Sequence, residues 1–168
     1  MKIERLLFVD KNIIKDFFPL TFTRPSAELR AGILTFAERW QRLFGVTQES
    51  YLSADYLREK YPYIGVSEEV TLSIYANFLP TPRLLEQLRS LEVGESITYQ
   101  GRTLAFVGKS ITLSSIPSIE WEEPLVLFEK PTDLFTYNEK AIDFDFKLLT
   151  QGRTSAPLSP TNGFLGDR

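Results

Sequence analysis

The chain has 168 residues, 43% of them hydrophobic, and carries 19 Lys and Arg against 22 Asp and Glu for a net charge of −3. That suits one domain with a substantial core and excludes the basic excess of a nucleic-acid surface. Cys and His are both absent, which removes disulfides, thiolate nucleophiles, Cys-type zinc and the usual general base. The metal compatible with the remaining side chains is a hard, oxygen-liganded cation such as magnesium. No run of 18 apolar residues is present, so no membrane span is expected. Met1–Asp10 turns from a charged start directly into a strand, without the apolar region of a signal peptide, and a cytoplasmic protein is expected.

Ile3 to Val9 reads as a buried strand, apolar at Ile3, Leu6, Leu7, Phe8 and Val9 and ending at Asp10; such a strand belongs in the middle of a covered sheet. A mixed stretch over 11–18 and a proline-containing loop over 19–31 follow. Gly32 to Phe44 has the spacing of a helix, with Ile33, Phe36, Ala37, Trp40, Leu43 and Phe44 on one face and Gly45 as its terminator. Ser50 to Ser53 reads as a short strand, followed by a helix through Tyr56, Leu57 and Tyr61. Val70 to Ala76 alternates apolar Val70, Leu72 and Ile74 with Thr71, Ser73 and Tyr75, a strand pattern. Thr81-Pro82 supplies an N-cap and a first-turn proline for a helix burying Leu84, Leu85, Leu88 and Leu91. Ser96–Tyr99 and Thr103–Val107 flank Gln100-Gly101 as a hairpin. Leu125–Phe128 reads as a strand after the acidic patch Glu120–Glu123, and about 132–149 as a helix. Alternating strands and helices predict a three-layer α/β/α domain on a mostly parallel sheet. Ligands of such sheets bind at strand carboxyl ends, near a switch in strand order, which puts Asp10 and its loop at the expected site.

Pro19-Leu-Thr-Phe-Thr-Arg-Pro25 and the later Gly32 resemble the start of nucleoside-diphosphate-sugar pyrophosphorylases. In those proteins a glycine-rich G-G-x-G-T-R-L loop precedes P-L-T-x-x-R-P-K-P, and a glycine comes before the next helix. Pro19, Leu20, Thr21, Arg24, Pro25 and Gly32 match at that spacing. Tyr51–Leu57, Leu91–Glu95 and Leu158–Asn162 extend the resemblance to the N-terminal domains of bacterial proteins, known mainly from Bacteroidetes. Those proteins are related to the bifunctional enzyme that makes UDP-N-acetylglucosamine. The likeness implies a nucleotide-diphospho-sugar transferase fold, Rossmann-like. It implies transfer of a nucleotidyl group to a sugar 1-phosphate, N-acetylglucosamine 1-phosphate and a uridine nucleotide in the nearer group, with release of pyrophosphate and with magnesium.

Glycines in that family's loop let backbone amides approach the triphosphate, and an Arg and a Lys neutralise its charge. Here residues 9–15 read Val-Asp-Lys-Asn-Ile-Ile-Lys with no glycine, the family's Arg falls on Asp16, and its Lys falls on Ser26. Lys11, Lys15, Arg24 and Arg30 are the nearby cations. The candidate catalytic residues are Arg24, as a bidentate phosphate ligand, and Arg30, ahead of a helix N-terminus. The candidate nucleotide or sugar-phosphate ligands are Asp10, Lys15, Thr23, Gly32 and Lys130, the last within Glu129-Lys130-Pro131, a phrase many such transferases place near the sugar phosphate. Asp10 is also the candidate metal ligand. Asp10, Arg24 and Arg30 are expected to line one cleft. Asp143 and Asp145 read as a solvated acidic face rather than a cation site, and Trp40 and Trp121 as core or interface rather than base-stacking platforms.

The substituted loop keeps a second reading open, a non-catalytic module that binds a sugar nucleotide or supports assembly of an attached acyltransferase. The tail from 152 onward is rich in Gly, Pro, Ser and Thr and reads as a linker. The domain proper is thus expected over 1–151. The resemblance places a left-handed β-helix acyltransferase after it, a fold through which the whole protein would form a homotrimer. Nucleic acid and membrane are not among the expected partners.

Overall fold

The structure is a computed structural model that describes residues 2–65, 69–108, 117–159, 161 and 163. Six strands form the main sheet: β1 (Arg5–Val9), β2 (Glu49–Leu52), β3 (Thr71–Ile74), β5 (Ser96–Tyr99), β6 (Arg102–Gly108) and β7 (Ser118–Glu120). Their spatial order is β2-β1-β3-β6-β5-β7, while β4 (Phe78–Leu79) and β8 (Val126–Leu127) pair separately. Pairings β1–β2, β1–β3 and β5–β7 are parallel, and β3–β6 and β5–β6 antiparallel. The sheet is therefore mostly parallel within an α/β domain, as the alternation of elements implies.

β1 is interior, with all five residues buried; a strand covered on both faces loses the in/out alternation of a half-exposed one. The same holds for β3, within the strand expected over 70–76. Its polar positions Thr71 and Ser73 are buried along with Leu72 and Ile74, and Thr71 Oγ1 accepts from Arg5 Nε at 3.1 Å.

Helix α1 runs Phe36–Phe44, four residues later than its apolar period implies. Thr35 fixes the start. Its side chain accepts the Glu38 amide while Glu38 accepts the Thr35 amide, a capping box that satisfies amides no helical turn reaches. Ile33 consequently lies outside the helix and is exposed. Gly45 ends α1 in the left-handed region, φ +65°. Trp40 on its inner face is fully buried, donates to Ala76 O at 3.0 Å and meets Phe78 edge-on at 4.9 Å, so its indole is core. The stretch after β2 makes only a single 3-10 turn, Asp55–Leu57, where a helix was expected.

α2 (Pro82–Ser90) begins as its sequence dictates, with Thr81 capping the Leu84 amide and Pro82 in the first turn. Leu84 and Leu88 are fully buried and Leu85 is half-buried. Gln100 (φ +52°) and Gly101 (φ +75°) close the β5–β6 hairpin, the two positive φ angles that such a turn requires. The expected helix at 132–149 divides into α3 (Asp133–Thr136) and α4 (Asn138–Thr150). Residues 151–159 are exposed and outside helices and strands; 160, 162 and 164–168 lie outside the described residues.

Candidate functional site

From β1 the chain crosses to β2 on one side and then to β3 on the other. The carboxyl ends of β1 and β3 thus flank the point where strand order reverses, which is where parallel sheets open a crevice. Asp10 leaves β1 there. Its carbonyl accepts the amides of Ile13 and Ile14, both at 2.8 Å, turning the chain into the 3-10 segment Ile14–Phe17. Its carboxylate is 2% exposed, with Oδ2 on the Ser26 amide and Oδ1 unpartnered. Burial pushes this carboxyl above its ordinary range, against the pull of the Ser26 amide and of neighbouring Ser53. Asp10 therefore ties the strand end to the loop around Pro25.

The matched motif folds over this end. Thr21 is buried and donates to Ile14 O at 2.5 Å, and Tyr56 donates to Thr21 O at 3.3 Å. Lys11, Lys15, Thr23 and Arg24 remain exposed, and no described residue pairs with the three cations.

Between the loops after β1 and β3 lies a cleft of about 340 Å³ lined by Ile13, Asp16, Phe17, Asn77, Arg102, Glu129 and Lys130. A cavity of that size suits a small ligand. Asn77 anchors its floor, giving Nδ2–H to Phe128 O at 2.6 Å and accepting the Phe128 amide on its own carbonyl at 2.8 Å. Asp133 accepts the amides of Glu129 at 2.8 Å and Lys130 at 3.1 Å, which fixes the backbone that presents both side chains. Arg102 pairs with Glu129 at 2.6 Å. Lys130 and Asp16 are exposed, and no described residue pairs with either side chain.

Of the residues expected at the site, only Lys130 lines this cleft. Asp10 is enclosed at the end of β1, and Lys15, Thr23 and Arg24 are exposed on the segments that follow it. Arg30 stands at the start of α1, paired with Glu38 at 3.4 Å and donating to Ile33 O. Among the described residues, none of the clefts is lined by Asp10, Arg24 and Arg30 together. Asn77 and Arg102 had no sequence signal, because one follows a strand and the other opens a hairpin without any motif around them.

Gly32 has a structural reason to be glycine. Its φ is +84°, and a Cβ there would stand 2.7 Å from the Ala141 backbone and from Asp145 Oδ2. The amides ahead of α1 already hold an anion. Asp145 Oδ2 accepts Ile33 N at 2.9 Å and Leu34 N at 3.0 Å, while Arg39 grips the same carboxylate through Nε at 2.7 Å and Nη2 at 2.9 Å. Both side chains are fully buried, so Asp145 is no part of a solvated acidic face. Asp143 is exposed and pairs with Lys147. A phosphate at this helix start would meet a resident carboxylate.

Among the described residues no three acidic side chains gather as a cation site. Asp10, enclosed and engaged by the Ser26 amide, presents no open edge to magnesium. Among the described residues no helix is long and apolar enough to cross a membrane. A family model described as sugar nucleotidyl transferase matches residues 6–154. No curated protein matches the chain.

Proposed function

Because the chain belongs to the sugar nucleotidyl transferase family, we propose that the cleft between the β1 and β3 ends binds a sugar 1-phosphate beside a nucleoside triphosphate. The reaction is nucleotidyl transfer: a phosphate oxygen of the sugar attacks the α-phosphorus, the bond to the β-phosphate breaks, and pyrophosphate leaves. A hexosamine phosphate and a uridine nucleotide, with N-acetylglucosamine 1-phosphate first to be tried, are the pair to which the motif resemblance points. The observation that carries the reading is the cleft's place at the reversal of strand order, with Lys130 and Arg102 in its wall. Such chemistry rests on positioning and charge neutralisation, so the lack of His and Cys is no obstacle. Lys130 holds the sugar phosphate, Arg102 and Glu129 shape the mouth, and the exposed Lys11, Lys15 and Arg24 after β1 offer positive charge to the triphosphate.

A second reading, a binding module with little turnover, is favoured by one feature. The chain after β1 is a compact 3-10 turn without glycine, so it offers no amide cradle for a triphosphate. Electrostatic donors of that kind are worth about 10²–10³ each in rate. Pyrophosphate release from UTP and N-acetylglucosamine 1-phosphate, alongside calorimetric titration of UDP-N-acetylglucosamine, tests both. Binding lost in Lys130→Ala, with slow release, supports the site; affinity for both ligands unchanged in Lys130→Ala overturns it.

A further inference from the structure

The charges of the cleft are not those of a simple phosphate site. Two cations and two carboxylates line it, Arg102 and Lys130 with Asp16 and Glu129. Arg102 and Glu129 neutralise each other at 2.6 Å. What remains unpaired is one ammonium, Lys130, and one carboxylate, Asp16. Asp16 stands where the pyrophosphorylase pattern would put an arginine, so this wall has a sign opposite to the one a phosphate needs. A dianionic sugar phosphate with neutral substituents satisfies Lys130 and brings its charge toward Asp16, an unfavourable pairing. A ligand carrying both a phosphate and an ammonium satisfies both walls.

We propose that the cleft selects an amino sugar phosphate whose amine is free and protonated, with the phosphate on Lys130 and the ammonium on Asp16. Asp16 is then a specificity-determining residue. It discriminates against neutral sugars and against the N-acetylated form, whose amide carries no charge. The inference rests on the cleft being the sugar-phosphate site and narrows that reading from hexosamine phosphates in general to the unacetylated one. A cation other than the amine, such as magnesium brought by the phosphate, would meet Asp16 equally well, so the two sources must be separated.

The experiment is calorimetric titration of glucosamine 1-phosphate, glucose 1-phosphate and N-acetylglucosamine 1-phosphate into the full chain in EDTA, repeated with magnesium. Wild type, Asp16→Asn and Lys130→Ala are compared. An exposed ion pair of this kind gives about a two- to fivefold preference for the free amine. That preference should be present in EDTA and lost in Asp16→Asn, while the affinity for glucose 1-phosphate is kept or raised. Equal binding of the three sugars, or a preference that appears only with magnesium, overturns the inference and leaves the site standing. Binding of none of them, or binding that Lys130→Ala does not weaken, overturns the site and the inference together.

Discussion

Two regions of this domain hold charge in opposite ways. Behind α1, Arg39 and Asp145 are fully buried, joined through two hydrogen bonds and wrapped by the Ile33 and Leu34 amides and by Ala31 O. At the β1 and β3 ends, Lys11, Lys15, Asp16, Arg24 and Lys130 are exposed, and no described residue pairs with any of them. The first arrangement suits a joint, because a buried ion cannot be left without its partner. The second suits a site, because charges kept in water are free to meet a ligand. The Pro19–Gly32 segment that carries the sequence resemblance spans both. Its proline–threonine part folds the strand-end loop, through Thr21 on Ile14 O, and its glycine lets α4 approach.

The largest expected effect comes from breaking the joint. Arg39→Ala or Asp145→Ala leaves an uncompensated buried charge and should cost about 3–5 kcal/mol in urea unfolding. The double variant should cost clearly less than the sum of the two. Additive losses would mean that the two side chains do not act as a unit. Gly32→Ala should follow at about 1–3 kcal/mol, from a positive φ and a Cβ driven into the α4 backbone. A neutral result would put the α1–α4 contact in doubt.

These residues show where the sequence was legible and where it was not. Signals contained within a few positions came through: the Thr81-Pro82 start of α2, Gly45 after α1 and the Gln100-Gly101 turn. Relations across the chain did not. Arg39 and Asp145 are 106 positions apart, so nothing near Asp145 announced a partner, and spacing alone made it a surface carboxylate. Ile33 kept the apolar period of α1 running past its true start, because a capping box at Thr35 and Glu38 outweighs one apolar residue in phase. The crevice at the β1 and β3 ends was legible from the order of elements. The lining was not, since Asn77 and Arg102 reach the cleft from elements with no motif of their own.

Asp10 lies between the two regimes, buried like the joint but at the site's end of the sheet. Its carboxyl titrates above the ordinary range in the folded protein. As pH falls, the folded state therefore takes up this proton before the unfolded chain does. That raises stability until both states are protonated, below the ordinary carboxylate value. Asp10→Asn keeps an acceptor for the Ser26 amide and removes the cost of burying a charged carboxylate. The variant should be the more stable protein at neutral pH, with the advantage shrinking on acidification. Thermal melts from neutral to acid pH check this, and a constant difference would remove Asp10 from the titration. Smallest of all, Lys15→Ala and Arg24→Ala should change stability by less than about 0.5 kcal/mol, since neither side chain has a described partner. A larger loss would assign them a structural contact.

The two regions differ most directly in which of them receives a ligand's anion. Backbone amide shifts of the ¹⁵N-labelled chain during titration with glucosamine 1-phosphate read both regions at once. The expected result is early movement of the Ile13, Asp16, Phe17, Asn77 and Lys130 signals, with those of Gly32, Ile33 and Leu34 unmoved. Movement centred on Gly32–Leu34, with the cleft silent, would contradict the account.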